Sequence, residues 1–292
     1  MKTRKIVTWI IVGAIALSFT GTGIYFLVKL IRDQTAEVDY SKLKDYELED
    51  DQEQLMTRYN STQEDDLSKV FNTCELANIS INKFKEHKYY YSKTYGNASA
   101  VGINQTIRAS VIKYGNNYFM ENISSGLIST AKRFYQNGEI VKTYNGNNIQ
   151  VERAHWDESS LEELSLVEHY EKWGKDLSRP LIYIISSKTV LNTSTTEVTQ
   201  SGYVVHLDLS PEYSILRYIR QMVSISNVKN PIFESVHLDL TIDKDMNLAK
   251  MEVSESYSVV KVFRVNTTAS LEETYTYDQK TKIPSLNENV NY

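Results

Sequence analysis

Two short stretches of the 292-residue chain echo each other: Val205-His206-Leu207-Asp208-Leu209-Ser210 and Val236-His237-Leu238-Asp239-Leu240-Thr241. In an extended strand alternate side chains point to opposite faces, so each stretch sets a His and an Asp on one face and leucines on the other. Two such strands side by side would gather two imidazoles and two carboxylates, a donor set for Zn²⁺ or another divalent ion. His206, Asp208, His237 and Asp239 are therefore the metal-ligating candidates. The same spacing also describes a plain amphipathic strand used twice, leucine inside and polar outside. The spacing alone does not say whether the two strands are neighbours.

Other chemistry finds little support. Asp243-Lys244-Asp245-Met246-Asn247 opens like a calcium loop, but Leu248 stands where the loop needs glycine and Ser254 where it needs glutamate, so a polar hairpin turn is expected. Ser-x-x-Lys recurs at Ser41, Ser80 and Ser110 without its supporting elements. Nucleophile elbows, zinc-protease helices and phosphate- or dinucleotide-binding glycine loops are all missing. The single cysteine, Cys74, excludes an internal disulfide framework and any multi-cysteine metal site. Neither catalytic residues nor a cofactor are expected, and a net charge of -5 makes general nucleic-acid binding an unfit role.

The elements that would carry these residues read in order along the chain. Ile6 to Val28 has no charged side chain; at about 1.5 Å per residue it matches a hydrocarbon core of about 30 Å. Basic residues Lys2, Arg4 and Lys5 precede it, so residues 1–32 are expected to form a cytoplasmic tip and one transmembrane helix, with the rest of the chain extracytoplasmic. Residues 33–66 hold twelve acidic and three basic side chains and read as an acidic stalk. The net charge divides unevenly. Residues 1–32 carry five basic and no acidic groups, and the chain beyond residue 66 carries 24 basic against 25 acidic. The acidity thus belongs to the stalk.

A helix is expected from about Thr62, with Leu67, Val70, Phe71, Cys74, Ala77, Ile81 and Phe84 on one stripe. Cys74 reads as a small buried residue. From Lys88 to Arg153 the period becomes two, punctuated by Gly115-Asn116, Asn137-Gly138 and Asn145-Gly146, which predicts an antiparallel meander. Ser159 with Glu162 reads as a capping box opening a helix through Leu161, Leu164, Val167, Tyr170 and Leu177. Ser210-Pro211 opens a second helix carrying Ile215, Leu216, Ile219, Met222 and Val223. Strands resume at 233–242, 248–257, 259–266 and 272–277, and residues 279–292 read as a disordered tail.

The stretch Phe233-Glu234-Ser235-Val236-His237-Leu238-Asp239-Leu240-Thr241-Ile242-Asp243-Lys244-Asp245-Met246-Asn247-Leu248 resembles the late strand–turn–strand of LolA/LppX-like lipoprotein and lipid carrier domains. Gln105-Thr106-Ile107-Arg108-Ala109 through Asn137-Gly138-Glu139 is similar to their central strands. The resemblance implies an α+β domain over residues 67–278. Its strongly curved antiparallel sheet would be a half-open barrel with amphipathic helices on the concave side, enclosing a hydrophobic ligand. The chain departs from lipoproteins of this kind in lacking a lipid-bearing Cys after the apolar run.

Three functions follow as expectations. The first is a membrane-tethered extracytoplasmic protein holding a lipid-like ligand between sheet and helices, with Leu216, Ile219, Met222 and Val223 lining the site. The second is a solid-core sensor or interaction ectodomain that meets an envelope protein partner. The third is a metal-dependent enzyme using the His-Asp set.

Overall fold

The computed structural model describes residues 48–100, 103–126, 129–150, 153–226, 229–260 and 264–290. Within them lie four α-helices and eleven strands. The helices are α1 (Gln52–Ser61), α2 (Thr73–Glu86), α3 (Leu166–Trp173) and α4 (Leu216–Ser226). The strands are β1 (Tyr89–Ala100), β2 (Ile103–Tyr114), β3 (Asn117–Ser125), β4 (Thr130–Asn137), β5 (Ile140–Asn147), β6 (His155–Ser165), β7 (Thr195–Thr199), β8 (Gly202–Leu209), β9 (Lys229–Asp243), β10 (Leu248–Val260) and β11 (Arg264–Tyr277). All eleven join one open antiparallel sheet in the order β6-β5-β4-β3-β2-β1-β11-β10-β9-β8-β7. Two meanders, β1–β6 and β7–β11, thus meet where the first strand pairs with the last.

One face of this sheet is covered. A cross-strand row runs Val205, Leu240, Met251, Glu273, Thr94, Ala109 and Asn122, each residue opposite the next. The row of Leu207, Leu238, Val253 and Leu271 lies beside it. Helix α2 packs over the β8 end, burying Leu76, Ile79 and Phe84 in the same core as Leu207 and Leu238. Each such side chain withdrawn from water contributes about 1.5–3 kcal/mol. Segment 174–190, which has no regular structure, buries Leu177, Leu181, Tyr183, Ile184 and Ile185 against the sheet. No periodicity announced that cover.

Several expectations are corrected. The helix expected from Thr62 is interrupted: Asp66 caps a short 3-10 turn at Leu67–Lys69, and α2 starts only at Thr73. There Asn72 and Glu75 form a reciprocal capping box that satisfies two amide donors. Cys74 is buried on α2, and burial, reinforced by the charge of Asp50, pushes its thiol up to about 12.

The expected capping box at Ser159 does not exist. Ser159 bonds to Asp157 within β6, which runs to Ser165, and Ser165 with Glu168 forms the real box of α3. Pairing with β5 decides this, since Val141 faces Leu164 and Lys142 faces Glu163, with which it also forms an ion pair of 2.8 Å. Asn145-Gly146 closes no turn. It lies inside β5, where a Cβ on Gly146 would stand 2.6 Å from the Ala131 Cβ and 3.2 Å from the Trp156 ring.

The acidic segment also differs from a solvated stalk. Residues 33–47 lie outside the described residues, but Glu49 to Ser61 dock on the domain. Asp50 accepts hydrogen bonds from the Ser187 amide and hydroxyl, at 2.7 and 2.6 Å, and Leu55 of α1 is buried. Glu49 accepts from Arg217 of α4 at 2.5 Å and from Arg179 of the cover. Burial alone would raise the Glu49 carboxyl, but the two guanidiniums outweigh it and hold the group at about 2.

The C-terminal segment is likewise bound. Leu286 packs against Ile123, Ala131 and Trp156 on the sheet's other face, and the carbonyls of Ser285, Leu286 and Glu288 accept from Arg133. Among the described residues no helix is long and apolar enough to cross a membrane. The span expected at Ile6–Val28 lies outside the described residues.

Candidate functional site

The covered face is not filled completely. Between β1, β2, β3, β10 and β11 on one side and the cover on the other lies a cavity of about 280 Å³ that opens to solvent. Small residues make the room: Ala98 on β1 and Ala109 on β2 place methyl groups where neighbouring strands carry Met251, Val253 and Leu271. The cover supplies Leu181 and Tyr183 from the irregular segment and Tyr218 and Met222 from α4. The lining reaches Ala100, Ile103, Val259 and Val265, the ends of two hairpins.

A few polar groups converge on this apolar space. Lys175 and Glu273 both line the cavity. Burial raises the Glu273 carboxyl above the usual range and lowers the Lys175 ammonium, and the charge of each opposes the shift of the other. Glu255 stands on the same strand face between Val253 and Tyr257, and accepts a hydrogen bond from the Tyr183 hydroxyl. Its Oε2 has no hydrogen-bond partner among the described residues. Burial pushes this carboxyl up to about 7 against the pull of the Tyr183 and Tyr218 hydroxyls.

No family model matches the chain, and no curated protein matches its sequence. Among solved structures it is similar to a DUF1329 family protein from Desulfovibrio piger. The two are 10% identical with a TM-score of 0.27, over 74% of this chain and 95% of that one.

The lining candidates named from sequence are placed unevenly. Met222 lines the cavity, whereas Leu216 and Ile219 do not, and Ile219 packs instead against the main core. The Val223 side chain lies outside the described residues. The rotation of α4 has a physical cause. Ile215 is anchored in the core, and Arg217 turns back to Tyr170, at 2.6 Å, and to Glu49, which brings Tyr218, Gln221 and Met222 toward the sheet.

Sequence reasoning missed the strand contribution altogether. A usable signal was present in Met251, Val253, Glu255 and Tyr257, where one carboxylate interrupts the apolar face of an alternating strand.

The four His-Asp residues do come together. Strands β8 and β9 are antiparallel neighbours in the register His206 opposite Asp239 and Asp208 opposite His237. His206 Nδ1 lies 2.6 Å and His237 Nε2 3.0 Å from the same Asp239 Oδ1, and His237 Nδ1 lies 2.8 Å from Asp208 Oδ1. They stand on the open face, across the sheet from Leu207 and Leu238. Burial would lower the His237 imidazolium, but the Asp208 hydrogen bond and both aspartate charges raise it above its ordinary value. Asp243, the first residue of the rejected calcium loop, accepts from the Asp245 and Asn247 amides at 2.9 and 2.7 Å, with Met246 at φ 63°. It closes a polar hairpin.

Proposed function

We propose that the chain binds a hydrophobic, lipid-like ligand between its sheet and the cover made by residues 175–183 and α4, without chemical conversion. The carrying observation is the solvent-open cavity of about 280 Å³, lined mainly by Ala, Ile, Leu, Met, Val and Tyr side chains, with Thr, Ser, Asn and Gln side chains and the charged Lys175 and Glu273 among them. That volume falls just below the range of ligand sites, about 300–1,000 Å³, and polar groups set in an apolar wall are their usual composition. In this reading the sheet curls as a half-open barrel in the manner of the LolA/LppX-like domains. The apolar run Ile6–Val28 tethers it to a membrane with the domain on the extracytoplasmic side.

The test is uptake of a fluorescent fatty acid by the full chain in detergent micelles, paired with organic extraction of the purified protein. Ala109→Phe places a ring in the cavity from a strand position that already faces it, and is expected to abolish saturable uptake while leaving the far-UV circular dichroism unchanged. A folded Ala109→Phe protein that takes up the probe as the parent does would overturn the proposal, as would a parent that neither carries nor accepts lipid.

A further inference from the structure

We infer that His206, His237 and Asp239 form a binding site for one divalent ion of the Zn²⁺ type on the open face of the sheet, separate from the apolar cavity. Three observations converge. First, the potential ligand atoms of these residues all lie within 4.8 Å of one another. Two of the gaps are 2.6 and 3.0 Å, because both imidazole nitrogens converge on one carboxylate oxygen. A tetrahedral ion with bonds of about 2.0–2.2 Å needs its ligand atoms only slightly further apart, roughly 3.4 Å. The side chains are between 32% and 39% exposed, so small rotations can open the set.

Second, the fourth group has a different job. Asp208 Oδ1 lies 2.8 Å from His237 Nδ1, so a neutral imidazole that keeps its proton on Nδ1 donates to Asp208 and offers the Nε2 lone pair to an ion entering at the centre. A carboxylate behind a ligating imidazole is the usual arrangement for fixing tautomer and ring orientation in zinc sites. The four residues are thus three ligands and one positioning residue.

Third, charge and access are suitable. Two carboxylates against two neutral imidazoles balance a dication, and exposure leaves a fourth coordination position for water. On the neighbouring strand Glu252, opposite Asp239, is engaged by Lys250 at 3.1 Å and does not compete. Backbone register supplies the preorganisation, since His206 and Asp239 face each other directly while His237 and Asp239 are two residues apart on one strand. Such an ion would link β8 to β9 near the end of the sheet that finishes in β7. Its role there is to clip two strands together.

The experiment is calorimetric titration of the metal-stripped full chain with Zn²⁺, and separately with Co²⁺ followed by its visible absorption. One equivalent is expected, with a tetrahedral Co²⁺ band. His206→Ala and His237→Ala should each lower affinity at least about 100-fold, and Asp208→Asn about 10–100-fold while keeping the stoichiometry. His155→Ala, on an exposed histidine of β6, should change nothing. In the unmodified chain, Zn²⁺ should protect His206 and His237, but not His155, from acylation by diethylpyrocarbonate read by mass spectrometry; this arm holds even if a variant fails to fold. The inference is overturned if Zn²⁺ does not bind, if both histidine variants bind it like the parent, or if no selective protection is seen.

Discussion

Arg133 on β4 and Glu121 on β3 form an ion pair, Nε to Oε2 at 2.5 Å, with side chains only 1% and 2% exposed. The remaining guanidinium donors go to carbonyls of the C-terminal segment, at 3.2 Å for Ser285 and 2.7 Å for Glu288. The arginine ring-stacks over Trp156 with 4.3 Å between its central carbon and the ring centroid. A charged side chain is therefore the anchor by which the last residues close over the smaller hydrophobic cluster.

Arg133→Met removes one partner of a buried pair and leaves Glu121 without its counter-charge, which is expected to cost about 3–5 kcal/mol in urea-induced unfolding. The double change Arg133→Met with Glu121→Leu should recover most of that loss. Truncation after Pro284 keeps the ion pair but uncovers Trp156, so a red-shifted tryptophan emission should accompany a smaller fall in stability. An unshifted emission in the truncated chain would mean that the tail does not lie on this cluster.

Glu255 dictates a pH dependence of stability. Its carboxyl stands at about 7 in the folded chain against 4.5 unperturbed. Below the lower value both states carry the proton. Between the two the folded state binds more proton than the unfolded one, so stability falls as pH rises, by up to about 1.4 kcal/mol per pH unit, and levels off above 7. Glu255→Gln abolishes this contribution, so the variant should gain on the parent as pH rises through that window. Chemical unfolding of both proteins from pH 4 to 8 measures the difference; a constant gap would show that Glu255 keeps an ordinary carboxyl in the fold.

Gly174 holds the crossing of α3 and α4. It ends α3 in the left-handed region, φ 64°, and a Cβ there would lie 2.3 Å from the Arg217 carbonyl oxygen. Gly174→Ala combines a left-handed alanine, about 1–2 kcal/mol, with displacement of α4 backbone. We expect a loss of at least about 2 kcal/mol and weaker ligand uptake, because Tyr218 and Met222 move with α4. Gly115→Ala serves as the comparison: it has φ 64° and no neighbour within 4 Å, so only the backbone strain applies. Equal losses for the two variants would remove the packing argument.

What the sequence determined by itself was local and periodic. The buried stripe of α2, the hairpins at Gly115 and Gly138, the polar turn at Asp243 and the antiparallel, meandering character of the sheet all follow from side-chain alternation and residues that tolerate positive φ. The His-Asp echo was equally visible, because two residues apart on a strand means one face wherever the strand lies.

Tertiary structure decided everything that depends on which segments meet. Leu161, Leu164 and Val167 satisfy a helical stripe as well as a strand, and only pairing with β5 settled the choice for β6. Glu49 and the tail at 285–288 look solvated in composition, yet each finds a counter-charge or donor far away in the chain, at Arg217 and Arg133. The cavity belongs to this class too, because it exists where small side chains from β1 and β2 oppose a cover with no periodicity of its own. Local spacing sets which face a residue takes. Long-range register and the packing of irregular segments decide what that face encounters, and it is there that the apolar cavity and the His-Asp cluster arise.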